Sequence, residues 1–106
     1  MLFYVQMKWN YQGRISQDGL WALESKEGDH ADSQRGENSD SVKVINIFKV
    51  ASQHRVIAIV NVDSADELDR NSMGRLPMKE YLEFEAVWPL RDYDSFIQDV
   101  KNGFKG

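Results

Sequence analysis

The amino-acid sequence predicts one α+β domain, and three observations carry the prediction. Four segments are rich in β-branched and aromatic residues, as strands are. Two segments between them open on a serine followed by acidic residues, as helix starts do. Only Ser52-Gln53-His54 separates the second strand from the third, which is short enough to require an antiparallel hairpin.

In chain order, the first strand is Leu2 to Trp9. A helix follows from Ser16 through the run Leu20-Trp21-Ala22-Leu23-Glu24, with Ser16 as its cap and Asp18 in its first turn. The second strand is Val42 to Ala51. The third, Arg55 to Val62, contains Val56-Ile57-Ala58-Ile59-Val60, which is too continuous for a strand with one wet face. The second helix starts at Asp63-Ser64-Ala65-Asp66-Glu67-Leu68, with Ser64 and Glu67 at capping-box spacing. Ala65, Leu68, Met73 and Leu76 roughly keep helical spacing, and Gly74 weakens the last turn. The fourth strand runs from Glu80 to Trp88 and is stopped by Pro89. A terminal helix, Asp92 to Phe104, puts Phe96, Val100 and Phe104 on one stripe. The order is the βαββαβ pattern of a ferredoxin-like fold with a C-terminal helix. The stretch from Gly28 to Ser41 has Ala31 as its one apolar side chain and little to bury, so it reads as a mobile loop or frayed helix end, either a solvated segment with no role or one able to act as a lid.

Alternation along the strands divides the sheet into two faces. One carries Phe3, Val5, Met7, Ile45, Ile47, Val56, Ala58, Val60, Leu82, Phe84 and Ala86. The other carries Tyr4, Gln6, Asn46, Phe48, Ile57, Ile59, Asn61, Tyr81, Glu83 and Glu85. Two helices cover one face of a four-stranded sheet. The second face is too apolar at its centre to be left in water, which predicts a homodimer packed sheet to sheet.

Composition narrows the functions. At 106 residues the chain is one domain, and 42% hydrophobic with 28% charged residues is a globular balance. The net charge of −4 argues against a nucleic-acid partner. No run approaches the roughly 20 apolar residues of a membrane helix, and the N-terminus lacks a signal-peptide pattern. There is no cysteine, which removes disulfides and thiol catalysis and is compatible with a cytoplasmic location. With two histidines and no cysteine no metal site is expected, and no glycine-rich phosphate loop is present.

Four segments, in order, resemble the muconolactone isomerase family. They are Met1-Leu2-Phe3-Tyr4-Val5-Gln6-Met7, Phe48-Lys49-Val50-Ala51, Val62-Asp63-Ser64-Ala65-Asp66-Glu67-Leu68 and Leu76-Pro77-Met78-Lys79-Glu80-Tyr81. The resemblance covers roughly residues 1–9 and 43–91. It implies a dimeric α+β barrel, often built into larger rings, without metal or organic cofactor. It also implies proton-shuttling isomerisation of a small unsaturated lactone. The sequence departs from the family in the Gly28–Ser41 stretch, in the run Gln53-His54-Arg55-Val56-Ile57-Ala58 and after Arg91.

A proton shift beside a carbonyl needs a base near neutral pKa and donors for the enolate. Glu24 shares a helix side with Leu20 and Trp21, and a carboxylate beside Trp21 in a partly dry pocket would have its pKa raised. Glu27 lies four residues after Leu23 and, counted from the opening strand, matches a carboxylate of the family's first helix. The base is one of these two, unless both are ordinary boundary residues. His30 is a candidate base on the polar stretch or a surface loop histidine. His54 and Arg55 stand at the hairpin, where Arg55 either clamps a substrate carboxylate or serves solubility. Tyr4, Tyr81 and Glu83 either line a pocket in the dimer or pair with Gln6, Asn46 and Arg55. The main expectation is a cofactor-free isomerase acting on a small lactone or related carbonyl compound. The alternative is a cofactor-free oxygenase or small-molecule binding protein on the same barrel.

Overall fold

A computed structural model describes residues 1–35 and 41–105. The elements are β1 (Leu2–Trp9), α1 (Gln17–Ser33), β2 (Val42–Lys49), β3 (Arg55–Val62), α2 (Ala65–Arg70), β4 (Leu82–Leu90) and α3 (Tyr93–Lys101). A π-helical turn, Asn71–Arg75, continues α2. The four strands form one antiparallel sheet in the order β2-β3-β1-β4, which is the expected α+β arrangement.

Both helix starts are built as the capping residues demand. The Ser16 hydroxyl accepts from the Gly19 backbone N–H at 3.1 Å, and the Ser64 hydroxyl accepts from that of Glu67 at 3.1 Å. Gly19 is needed where it is, because a Cβ there would meet Ile15 Cγ1 at 2.9 Å. The Glu67 carboxylate does not return to its own helix start but pairs with Arg70 and Arg75.

The inner face of the sheet packs against α1 and α2. Phe3, Val5, Met7, Val42, Val44, Ala58, Val60 and Val62 are buried there with Leu68 of α2. Leu20 of α1 joins Trp9 and Met78 in a second cluster. Two bulges correct the expected division of faces. Val44 pairs with Val60 and Asn46 with Ile59, so Ile45 is an extra residue and its side chain is exposed. Gln6 pairs with Ala86 and Met7 with Phe84, so Glu85 is extra and Ala86 stands opposite Gln6 rather than on the inner face.

Several boundaries also differ. Pro89 does not stop β4 but pairs with Phe3 inside it, which an edge strand tolerates. The β2–β3 connection begins earlier than expected, with Ser52 at a positive φ of 63° and Val50 N–H donating to the Arg55 carbonyl at 2.9 Å. Helix α1 continues to Ser33, so Gly28 to Ser33 are helical where a loop or frayed end was expected. Tertiary contacts outweigh the glycine penalty there: Gln34 is buried, and its carbonyl accepts from Val44 N–H at 2.9 Å. The rest of the expected lid, residues 36–40, lies outside the described residues.

The end of β4 and α3 form an arm. The radius of gyration is 16.2 Å, against about 13 Å for a compact chain of this length. Along this arm Trp88, Tyr93, Phe96, Val100 and Phe104 are exposed, and on the outer sheet face Phe48 is exposed as well. Among the described residues no helix is long and apolar enough to cross a membrane.

Candidate active site

Helix α1 turns an unusual stripe toward the sheet. Leu20, Leu23, Glu24, Glu27, Ala31 and Gln34 follow helical spacing, so carboxylates occupy positions an amphipathic helix normally fills with apolar side chains. Between this stripe and the inner sheet face lies a cavity of about 110 Å³. The sheet contributes Val5, Met7, Trp9, Val56, Ala58, Val60 and Phe84 to its wall. Helix α2 and the segment after it add Leu68, Asn71, Ser72 and Leu76.

Glu24 and Glu27 both line this cavity, and each has one carboxylate oxygen, Oε2, buried without a hydrogen-bond partner. Burial raises the Glu24 pKa above its ordinary value, and the nearby Lys49 ammonium opposes the rise. Glu27 is pushed up to about 7, by burial first and by the charge of Glu24 second, against a hydrogen bond from the Met78 backbone. A carboxylate at about 7 is poised to take and return a proton near neutral pH.

The other end of the cavity is polar but uncharged. The Gln34 side-chain amide donates to Asn71 Oδ1 at 3.0 Å, and His30 Nε2 lies 3.4 Å from the same oxygen. Gln34, Asn71 and Ser72 are all buried. At 1.5 Å per residue Gln34 stands about 10 Å beyond Glu27 along the helix, while His30 stands one turn beyond it. Sequence reading missed Gln34, Asn71 and Ser72, because isolated amides and hydroxyls carry no periodic signal. Their one trace is the poor helix run Asn71-Ser72-Met73-Gly74, which folds as the π turn, a form common at functional sites.

The remaining candidates stand elsewhere. Trp21 is about half exposed and is absent from the cavity wall, and the indole that shares the wall with Glu24 is that of Trp9 of β1. Trp21 meets Trp9 edge to face at 6.3 Å and stacks near His54 at 6.3 Å. The His54 ring also lies 4.7 Å from Tyr11, whose hydroxyl is 3.0 Å from Nε2, while Nδ1 is buried without a partner. His54, Arg55 and Glu83 border a separate polar hollow with Lys8 and Tyr11. Arg55 is held there by Glu85, at 2.5 and 2.8 Å, and that pairing draws the Glu85 pKa down to about 2. Glu83 pairs with Lys8 at 3.4 Å. Tyr4 stacks on Trp88 at 5.1 Å and donates its hydroxyl to Gln6 at 2.7 Å. Tyr81 precedes β4 rather than lying in it, with the Arg14 guanidinium 4.8 Å above its ring. The structure therefore brings Glu24, Glu27 and His30 together and leaves His54, Arg55, Tyr4, Trp21, Tyr81 and Glu83 outside the cavity wall.

The fold and the cavity define a small α+β protein with a pair of carboxylates, each with one buried unpartnered oxygen, in an apolar chamber. The family model of muconolactone delta-isomerase matches residues 1–95, and the chain belongs to that family. Its fold is similar to the crystal structure of muconolactone isomerase, with a TM-score of 0.71 at 22% identity, covering 90% of this chain and 93% of that one. Among curated proteins none matches this chain.

Proposed function

We propose that this chain is an isomerase that moves a proton on a small unsaturated lactone or related carbonyl compound, with Glu27 as the base. The supporting observation is the Glu27 carboxylate itself: an oxygen buried without a partner, on the wall of an apolar cavity, with its pKa at about 7. Family membership supports the same reaction class.

Ionised Glu27 takes a proton from the saturated carbon next to a double bond that is conjugated with the substrate carbonyl. The electron pair left behind shifts through the double bond onto the carbonyl oxygen as a dienolate. Hydrogen-bond donors stabilise that oxygen, and the Asn71 side-chain N–H groups suit this role because Asn71 Oδ1 is already occupied by Gln34. Protonated Glu27 returns the proton at the other end of the conjugated system, so the double bond moves and no atom is gained or lost. The charge of Glu24, one turn away, adds to the burial that raises the Glu27 pKa.

The same reading takes the working form as a cytoplasmic homodimer or multiple of dimers. A second copy would cover Phe48, Trp88 and the apolar stripe of α3, which one chain leaves in water.

A co-crystal structure with a small unsaturated lactone tests the proposal. The expected result is ligand between the sheet and α1 with a reacting carbon beside Glu27. Ligand bound only in the hollow at His54 and Arg55, or none in the cavity at saturating concentration, would count against it.

A further inference from the structure

An asparagine side chain turned end for end keeps its shape, so hydrogen bonds alone decide which way its amide faces. Asn71 is in that position where α2 meets the π turn. Its backbone is fixed: the N–H donates to the Glu67 and Leu68 carbonyls, and the carbonyl accepts from Leu76 N–H at 3.2 Å. Its side chain lines the cavity, and the residue is only 6% exposed. Oδ1 accepts from Gln34 Nε2 at 3.0 Å. His30 Nε2 faces the same oxygen at 3.4 Å and is a second donor when that nitrogen carries a proton. Among the described residues Asn71 Nδ2 makes no hydrogen bond. Gln34 is equally fixed. It is 5% exposed, its backbone N–H donates to the Ala31 carbonyl at 3.1 Å, and its carbonyl accepts from Val44 N–H at 2.9 Å. The ends of α1 and α2 and the start of β2 therefore hold both backbones, and the Asn71 amide keeps one freedom, which way it faces.

We infer that Gln34 is a positioning residue: it holds the Asn71 amide with Nδ2 toward the cavity, as the donor to the carbonyl oxygen of a bound lactone. This deepens the isomerase reading and rests on it for the class of ligand. The opposite orientation would set Asn71 Nδ2 against Gln34 Nε2, donor against donor, and would aim Oδ1 at an oxygen that gains negative charge. Held by Gln34, the donor is in place before the reaction starts, so no reorientation is needed when the charge develops. Gln34 stands about 10 Å beyond Glu27 along α1, so the base and the donor lie at opposite ends of one chamber. An apolar residue would fill the Gln34 site at no desolvation cost, whereas a buried amide is tolerated when its hydrogen bonds are used.

The test uses the full chain at one pH, with γ-butyrolactone as the binding probe, a saturated lactone that has the carbonyl but no double bond to move. In NMR spectra of the unaltered chain, the Asn71 side-chain amide protons are expected to shift on addition of the probe by more than those of Gln34. In difference infrared spectra, the carbonyl stretch of the bound probe should lie below its value in an apolar solvent. It should move back toward that value in Gln34→Met and in Asn71→Ala. The double variant should match Asn71→Ala alone, because Gln34 acts through Asn71, whereas a separate structural role would add its own effect. With muconolactone as substrate, Gln34→Met should lower kcat by about tenfold and leave KM within about twofold, less than the 10²- to 10³-fold of a donor removed outright. An Asn71 signal that does not move at saturating probe overturns the inference, and this result stands even where a variant fails to fold. So does a carbonyl stretch unchanged in Gln34→Met, or effects that multiply in the double variant. The expected spectra without movement of a double bond in muconolactone leave this inference standing and remove the isomerase reading. Isomerisation at the same rate with and without Gln34 does the reverse.

Discussion

Glu24 and Glu27 stand one turn apart on α1, both facing the cavity and each with an unpaired buried oxygen, and the charge of the first raises the pKa of the second. The pair is unequal: Lys49 restrains Glu24, and burial beside Glu24 lifts Glu27 to about 7. Two carboxylates whose environments push their pKa values apart are the usual basis for an acid–base assignment.

The first expectation concerns the rate. The reactive form is ionised Glu27, so kcat/KM should rise with pH through a midpoint of about 7. Glu24→Gln removes a like charge, so the midpoint should move to lower pH. An unmoved midpoint in that variant would show that the titrating group is not Glu27.

Stability should follow the same group in the opposite direction. Unfolded, Glu27 loses its proton near the ordinary 4.5, whereas the folded chain holds it to about 7. The folded state therefore binds more protons between these values, and stability falls as pH rises through that window. With the partial exposure of the group allowed for, the loss is on the order of 1 kcal/mol. Glu67 and Glu85, both drawn down to about 2, act the other way, and their contributions disappear only as pH falls below 4.5. Denaturant unfolding from pH 4.5 to 8 should show the decline, and Glu27→Gln should flatten it.

Gly28 lies in the middle of α1, and a Cβ there would meet nothing within 4 Å. Gly28→Ala should therefore stabilise the chain by about 0.5–1 kcal/mol, measured by the urea midpoint. A destabilised variant would mean that this segment is not the regular helix described.

Much of this architecture was legible in the sequence, and the exceptions have physical causes. β1 alternates buried apolar residues from Phe3 to Trp9, β3 holds a continuous apolar run, and Ser16 and Ser64 are sound caps, so these strands and helix starts agree with expectation. Ile45 and Ala86 were misplaced because alternation assumes a regular ladder, and one bulge shifts every later side chain to the other face. The far half of α1 was hidden because Gly28 and a polar run argue locally against a helix, while the buried Gln34–Asn71 contact that anchors it is 37 positions long-range. Glu24 and Glu27 were visible as candidates from their spacing on α1. Trp9 on the cavity wall, and the amides at its other end, depend on how α1 and α2 lie on the sheet.

The arm makes its own prediction. If the apolar stripe of α3 is covered by another copy, Phe96→Asp with Val100→Asp should shift the chain toward monomer in sedimentation velocity while its circular dichroism stays that of a folded α+β protein. A monomeric unaltered chain would remove the proposed assembly and leave the cavity argument intact.

The central claim, that Glu27 moves the proton, is tested most directly by following an unsaturated lactone ester in deuterated water by NMR with the unaltered chain and with Glu27→Gln. The account predicts movement of the double bond with solvent exchange at the reacting carbons, slowed by about 10²- to 10⁴-fold in Glu27→Gln while ligand affinity is retained. An equal rate in the two proteins, or no movement of the double bond in either, would contradict it.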